Sequence, residues 1–133
     1  FIGSPPMNFL KFSGVVDTGA KAVQMGHVEL PVPVLREAFD GDMAYGVRPE
    51  HIHLSDDAPY RASIDAVEYL GTTQILTLDT ANGKIRARIS SEQPARAGES
   101  VGLTFNGNTV TLFDRQSGRA LRSELNAGVL PNG

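Results

Sequence analysis

An all-β chain, folded as a small barrel of short antiparallel strands with at most short helical turns, is what three features of this sequence predict. Apolar residues recur at a period of two rather than 3.6. The short apolar runs are punctuated by 14 Gly and 8 Pro. One run, Tyr60 to Tyr69, changes its apolar phase by a single residue, from Ala62, Ile64 and Ala66 to Val67 and Tyr69, as a β-bulge does where a sheet curls. At 133 residues there is room for one domain with its own core, since chains of this length bury roughly two-thirds of their unfolded surface.

In chain order, strands are predicted at Asn8 to Val16, Val23 to Leu30, Met43 to Val47 and Tyr60 to Tyr69. Gln74 to Thr80 and Lys84 to Ile89 form a hairpin through Ala81-Asn82-Gly83, whose Asn-Gly pair suits the positive φ of a type I′ turn. In the second arm Ile85, Ala87 and Ile89 turn inward while Lys84, Arg86 and Arg88 face water. Val101 to Phe105 and Asn108 to Leu112 read as a second hairpin through Asn106-Gly107, with Val101, Leu103, Phe105, Val110 and Leu112 on one face. Val34 to Phe39 and Gln93 to Ala97 look locally helical, but both are too short and too Pro-flanked to form a layer. Many short strands with this turn chemistry suggest a barrel of the oligonucleotide/oligosaccharide-binding type rather than a flat sandwich. The barrel is expected over residues 1–125, with an internal joint at the polar, Pro-closed stretch 54–59 and a loose tail over 126–133.

Composition narrows the function. Without Cys there are no disulfides or thiolate metal sites, which fits a reducing compartment. No run reaches the roughly 18 apolar residues of a membrane span, and the first ten residues lack a basic leader region. The 12 basic and 15 acidic residues are spread along the chain, for a net charge of -3, so it lacks the concentrated positive surface that binds nucleic acid. The missing initiator Met and the apolar Phe1-Ile2 start lead us to expect a piece from the C-terminal side of a longer protein.

No motif supplies catalysis. Gly83-Lys84 is the only Gly-Lys pair and sits in a hairpin turn, so no phosphate-binding loop is present; no Ser lies in Gly-x-Ser-x-Gly. His51 and His53, two apart on a strand, would share a face as metal ligands do, but no third ligand at suggestive spacing accompanies them although Asp56 and Asp57 follow closely. His27 reads as a surface or turn residue. Asp40-Gly41-Asp42 reads as a turn, since a calcium loop needs further oxygen ligands and a closing Glu. The nine aromatics include Tyr69, Phe105 and Phe113 in apolar strand contexts, which read as core rather than as stacking platforms for bases. We therefore expect no catalytic, cofactor-binding or metal residue in the chain.

Four stretches in order carry a resemblance: Phe1-Ile2-Gly3-Ser4-Pro5-Pro6-Met7-Asn8-Phe9-Leu10, then Gly46-Val47-Arg48-Pro49-Glu50-His51, then Val67-Glu68-Tyr69-Leu70-Gly71 with Thr73, then Leu112-Phe113-Asp114 with Ser117-Gly118-Arg119-Ala120-Leu121. Together they resemble the C-terminal regulatory region of the ATP-hydrolysing subunits of ABC importers, in the carbohydrate-uptake branch that includes maltose and glycerol-3-phosphate transporters. The resemblance implies a transport-associated barrel appended to an upstream nucleotide-binding domain, where ATP and Mg would bind. It further implies contact with a second copy of the subunit, with its own nucleotide-binding domain, with membrane subunits and with a regulatory protein in some members. The implied location is peripheral, on the cytoplasmic side of the inner membrane. A related reading is a small oxyanion sensor of the molybdate-binding type, with Ser90-Ser91 and Thr72-Thr73 as donors.

Within this resemblance, Met7, Asn8 and Phe9 are expected near the interdomain joint or the contact between copies, behind the stiff Pro5-Pro6 entry. Pro49 fixes its own φ and drives Arg48 to an extended conformation, which ends the preceding strand in one geometry. Arg48 and Glu50 then make charge-assisted contacts, either with each other as a clamp or with a partner. Gly71 allows a turn after Tyr69-Leu70, and Asp114 caps a turn through Ser117-Gly118.

Overall fold

The computed structural model describes residues 6–126. The motif residues Phe1 to Pro5 and the tail beyond Asn126 lie outside the described residues. Ten strands and two short 3-10 turns follow in order: β1 (Asn8–Val16), β2 (Ala22–Met25), β3 (Val28–Pro31), β4 (Phe39–Val47), the turn Pro49–His51, β5 (Ile52–Leu54), β6 (Tyr60–Leu70), β7 (Thr73–Thr80), β8 (Gly83–Ser90), β9 (Ser100–Phe105), the turn Gly107–Thr109, and β10 (Thr111–Asp114). They form two compact units. Unit one takes the residues up to Leu10 with Val47–Phe105, and unit two takes Lys11–Gly46 with the residues from Asn106.

Unit one holds a five-stranded antiparallel sheet in the order β5-β9-β6-β7-β8. Period-two patterning puts Leu76, Leu78, Ile85, Ala87, Ile89, Val101, Leu103, Phe105, Ile52 and Ile64 in its interior, each of these side chains larger than alanine contributing about 1.5–3 kcal/mol on burial. The sheet curls until β8 lies against β5 and the Pro49–His51 turn. The register of β6 on β7 shifts between Ile64 and Ala66, so the bulge forms where the apolar phase breaks. The curl is tight at Gly102: a Cβ there would come within 2.7 Å of the Ala58 carbonyl and closer still to that of Ser55. The stretch 54–59, expected as a joint, lies inside this unit, because β5 and β6 on either side of it both pair with β9.

Unit two holds the three-stranded sheet β1-β4-β10 and the hairpin β2-β3, over a core that includes Phe12, Met25, Leu35, Met43, Tyr45, Leu112 and Leu121. The stretch Val23 to Leu30 is two strands rather than one, because Gly26 at φ +66° reverses the chain and leaves His27 in the turn.

Other expectations are also corrected. Val101 to Leu112 is not a hairpin: β9 pairs with β5 and β6, and β10 pairs with β4. Gly107 serves close approach instead of a type I′ turn, since a Cβ there would meet Pro31 Cβ at 2.6 Å. In the first hairpin the loop is Ala81-Asn82, one residue earlier than expected, with Gly83 at φ +127° opposite Thr80. Neither short helical stretch is a helix: Leu35 bridges Ser123, its N–H goes to the Ala20 carbonyl, and residues 36–37 form a bend before β4 begins at Phe39. Gln93 to Ala97 is irregular. Asp40-Gly41-Asp42 lies within β4 rather than in a turn, where Asp42 Oδ1 accepts the Ser13 hydroxyl at 2.5 Å. Tyr69, read as core, is 64% exposed at the turn end of β6, and Phe113 is half-buried.

Candidate functional site

The two stretches singled out for contacts, Met7-Asn8-Phe9 and Arg48-Pro49-Glu50, both flank β8 in unit one. Asn8 reaches its backbone: Asn8 Nδ2 donates to the Arg86 carbonyl at 2.8 Å, and Arg86 N–H donates to Asn8 Oδ1 at 2.9 Å. The amide thus imitates a strand backbone on the outer edge of β8, occupying a donor and an acceptor that an edge strand otherwise leaves open. Asn8 is therefore a fastener, and the alternation of β1 turns Phe9 outward, 45% exposed, while Leu10 is fully buried. Met7 is half-buried.

In the other stretch, Arg48 is extended at φ -83°, ψ 152°, as the following proline requires, and Pro49 opens the 3-10 turn. Pro49 is buried, Arg48 half-buried and Glu50 exposed. His51 closes the turn with its Nδ1 buried and unpartnered among the described residues, whereas His53 points outward from β5. The two imidazoles thus sit on different elements, and among the described residues no group of three His, Asp or Glu could hold a metal.

The polar anchors that hold these surfaces escaped the sequence reading. Gln74 is fully buried and donates from Nε2 to the carbonyls of Ser90 (3.0 Å) and Gln93 (2.7 Å). Tyr60 donates its hydroxyl to Asn82 Oδ1 at 2.7 Å, and burial pushes its pKa up. In unit two the Arg119 guanidinium grips Glu37 through both carboxylate oxygens, at 2.8 and 3.0 Å, and Arg122 N–H adds 2.6 Å. Hydrogen bonding from Arg119 is the largest of the causes that lower the Glu37 pKa to about 2. Asp114 caps its turn as expected, accepting from Gln116 N–H and the Ser117 hydroxyl, both at 2.9 Å, and these bonds lower its pKa. Spacing gave no warning of the Glu37 grip, since Glu37 lies 82 residues from Arg119.

Thr72-Thr73 and Ser90-Ser91 do come together: Ser91 N–H donates to the Thr72 carbonyl, while the Ser90 carbonyl and hydroxyl accept from Gln93 N–H and Glu92 N–H. A cleft of about 340 Å³ nearby is lined by Leu54, Asp56, Gln93, Pro94, Glu99, Ser100 and Val101. Its carboxylates do not suit an anion.

Comparison with known proteins bears on the family. A family model described as the TOBE domain matches residues 45–113, and one described as the MalK OB fold domain matches residues 3–52. Among curated relatives, an sn-glycerol-3-phosphate import ATP-binding protein of Cereibacter sphaeroides is 32% identical over 124 residues, 91% of this chain and 34% of the relative. The trehalose/maltose import ATP-binding protein MalK of Thermococcus litoralis is 29% identical over 142 residues, 91% of this chain and 36% of the relative. The chain thus spans about a third of the length of the relatives it matches. In fold it is similar to the cytoplasmic molybdate-binding protein ModG, with a TM-score of 0.55, 14% identity, and coverage of 79% of this chain and 94% of that one. Among the described residues no helix is long and apolar enough to cross a membrane. The chain belongs to the TOBE domain family, and residues 3–52 match the MalK OB fold domain.

Proposed function

We propose that this chain is the noncatalytic regulatory and dimerisation domain of the ATP-binding subunit of a carbohydrate ABC importer, of the sugar or glycerol-3-phosphate type. The observation that carries the reading is the pair of family matches, which together run from residue 3 to residue 113. The names of the relatives, import ATP-binding proteins about three times as long, support the rest. In this reading ATP and Mg2+ belong to a nucleotide-binding domain elsewhere in the subunit. The domain's partners are that nucleotide-binding domain, a second copy of the subunit, the membrane subunits and, in regulated systems, a signalling protein. The complex sits on the cytoplasmic side of the inner membrane.

Met7, Phe9, Arg48 and Glu50, grouped around β8, face the neighbouring domain, and Asn8 acts by fixing the start of β1. Deleting this region from the longer subunit tests the reading. Subunit association in solution and control of transport by substrate are both expected to be lost. If both stay unchanged, the reading fails.

A further inference from the structure

The cleft of about 340 Å³ in unit one has walls that are fastened and polar side chains that are not. One wall is the 54–59 segment. Ser55 N–H donates to the Gly102 carbonyl at 2.9 Å, and Arg61 Nη1 donates to the carbonyls of Asp56 (3.0 Å) and Ala58 (3.4 Å). The other wall is the segment after β8. There Gln74 Nε2 donates to the Gln93 carbonyl at 2.7 Å, Gly98 N–H to the Ile64 carbonyl at 2.7 Å, and Ile64 N–H to the Glu99 carbonyl at 2.9 Å. Walls fixed in this way form the cleft before anything enters it, which lowers the ordering cost of binding. Leu54, Pro94 and Val101 supply apolar lining. The Asp56 carboxylate and the Gln93 amide have no side-chain partner among the described residues. Glu99 accepts only from Arg96 N–H, at 2.9 Å, and the Ser100 oxygen accepts from Arg61 Nη2 at 3.3 Å, which leaves the Ser100 hydroxyl hydrogen to donate.

We infer that this cleft binds a neutral polyhydroxylated ligand the size of one sugar ring. The balance of donors and acceptors selects that chemistry: Asp56 and Glu99 only accept, the Ser100 hydroxyl donates, and the Gln93 amide does both. An anion only accepts, and would face two carboxylates. A cation, organic or metallic, offers no acceptor to Ser100 and Gln93, and the Arg61 guanidinium already lies against this lining through Ser100. A hydroxyl both donates and accepts, so neighbouring hydroxyls on one ring answer every polar group, the carboxylates most strongly, while the ring carbons lie on Leu54, Pro94 and Val101. Size agrees: at ~30 Å³ for each water-sized group, 340 Å³ holds roughly eleven, as many as a sugar ring with its hydroxyls. The inference rests on the regulatory reading above and deepens it, since a sugar held here is a small-molecule input to the noncatalytic domain of a carbohydrate importer.

Amide NMR of this chain titrated with glucose tests the site. Saturable shifts are expected at residues 54–56, 93–94 and 99–101, with a dissociation constant on the order of 1 mM, the range open to a ligand of this size. Asp56→Asn and Glu99→Gln each keep the shape of the lining but exchange a charged acceptor for a neutral one, so each weakens binding by about threefold to tenfold. Glu92→Gln, at an exposed carboxylate outside the lining, leaves binding unchanged. Parent-like spectra of the three variants show that they are folded. Glucose 6-phosphate binds at least about tenfold more weakly than glucose, because its phosphate meets the two carboxylates. The assignment is overturned if glucose gives no saturable shift at these residues, if Asp56→Asn and Glu99→Gln bind it as the parent does, or if spermidine or Mg2+ binds here in preference to glucose. None of these results bears on subunit association or on deletion of the region, so the regulatory reading stands or falls separately.

Discussion

Unit one is held by a continuous sheet and unit two by side chains reaching between segments. In unit one five strands pair edge to edge in registers that leave an aliphatic interior, and its buried polar group, Gln74, bonds to backbone carbonyls. In unit two a three-stranded sheet and a separate hairpin leave more work to Glu37, which joins the segment after β3 to residues 119–122. Cohesion by backbone and apolar contact is nearly indifferent to pH, whereas cohesion through a carboxylate is not. The two units therefore differ in how they fail, and substitutions in each probe that difference.

The largest effect is expected in unit one from Gly102→Ala. The new Cβ collides with two carbonyl oxygens of the 55–58 turn, and with backbone on both sides the cost is about 3 kcal/mol or more by denaturant titration. Next is Gln74→Ala, which orphans the Ser90 and Gln93 carbonyls and leaves a cavity, for a loss of about 2 kcal/mol. That loss should be the same at pH 7 and pH 4, since no charge is involved.

Glu37→Gln probes unit two. The folded pKa of Glu37, about 2, lies below its ordinary 4.5, so its stabilisation is fully present above pH 4.5 and fades as pH falls through about 2. With its arginine partners more than half exposed to solvent, the contribution is about 1–2 kcal/mol after screening. The variant should be less stable than the parent at pH 7 and indistinguishable from it near pH 2. A smaller loss, about 1 kcal/mol, is expected from Asn8→Ala, with faster amide exchange at Arg86 as its local signature. Replacing Lys84 by Met should leave stability unchanged within error, because that pair is exposed.

Local regularities made the strands legible and non-local pairing did not. Asn8–Val16 and the inward set Ile85, Ala87 and Ile89 emerged from alternation alone, and the bulge of β6 from one phase slip. Alternation also placed Val101 to Leu112 on the correct face, but could not reveal that β9 and β10 separate to different sheets. That choice depends on β4, β5 and β6, whose pairing is invisible to a local pattern. Tyr69 shows the opposite limit: its phase matches Gln74 and Ile89 on the inner face, yet it lies at the end of the hairpin and stays exposed. Of the expected contact residues, Asn8 became a fastener because its partner is a backbone group, which no side-chain motif advertises.

Sedimentation equilibrium of this chain tests the central claim, that it is an association domain, most directly. The account predicts a reversible monomer–dimer equilibrium with dimer present at concentrations on the order of 1 mM. A single monomeric species up to about 1 mM would contradict it.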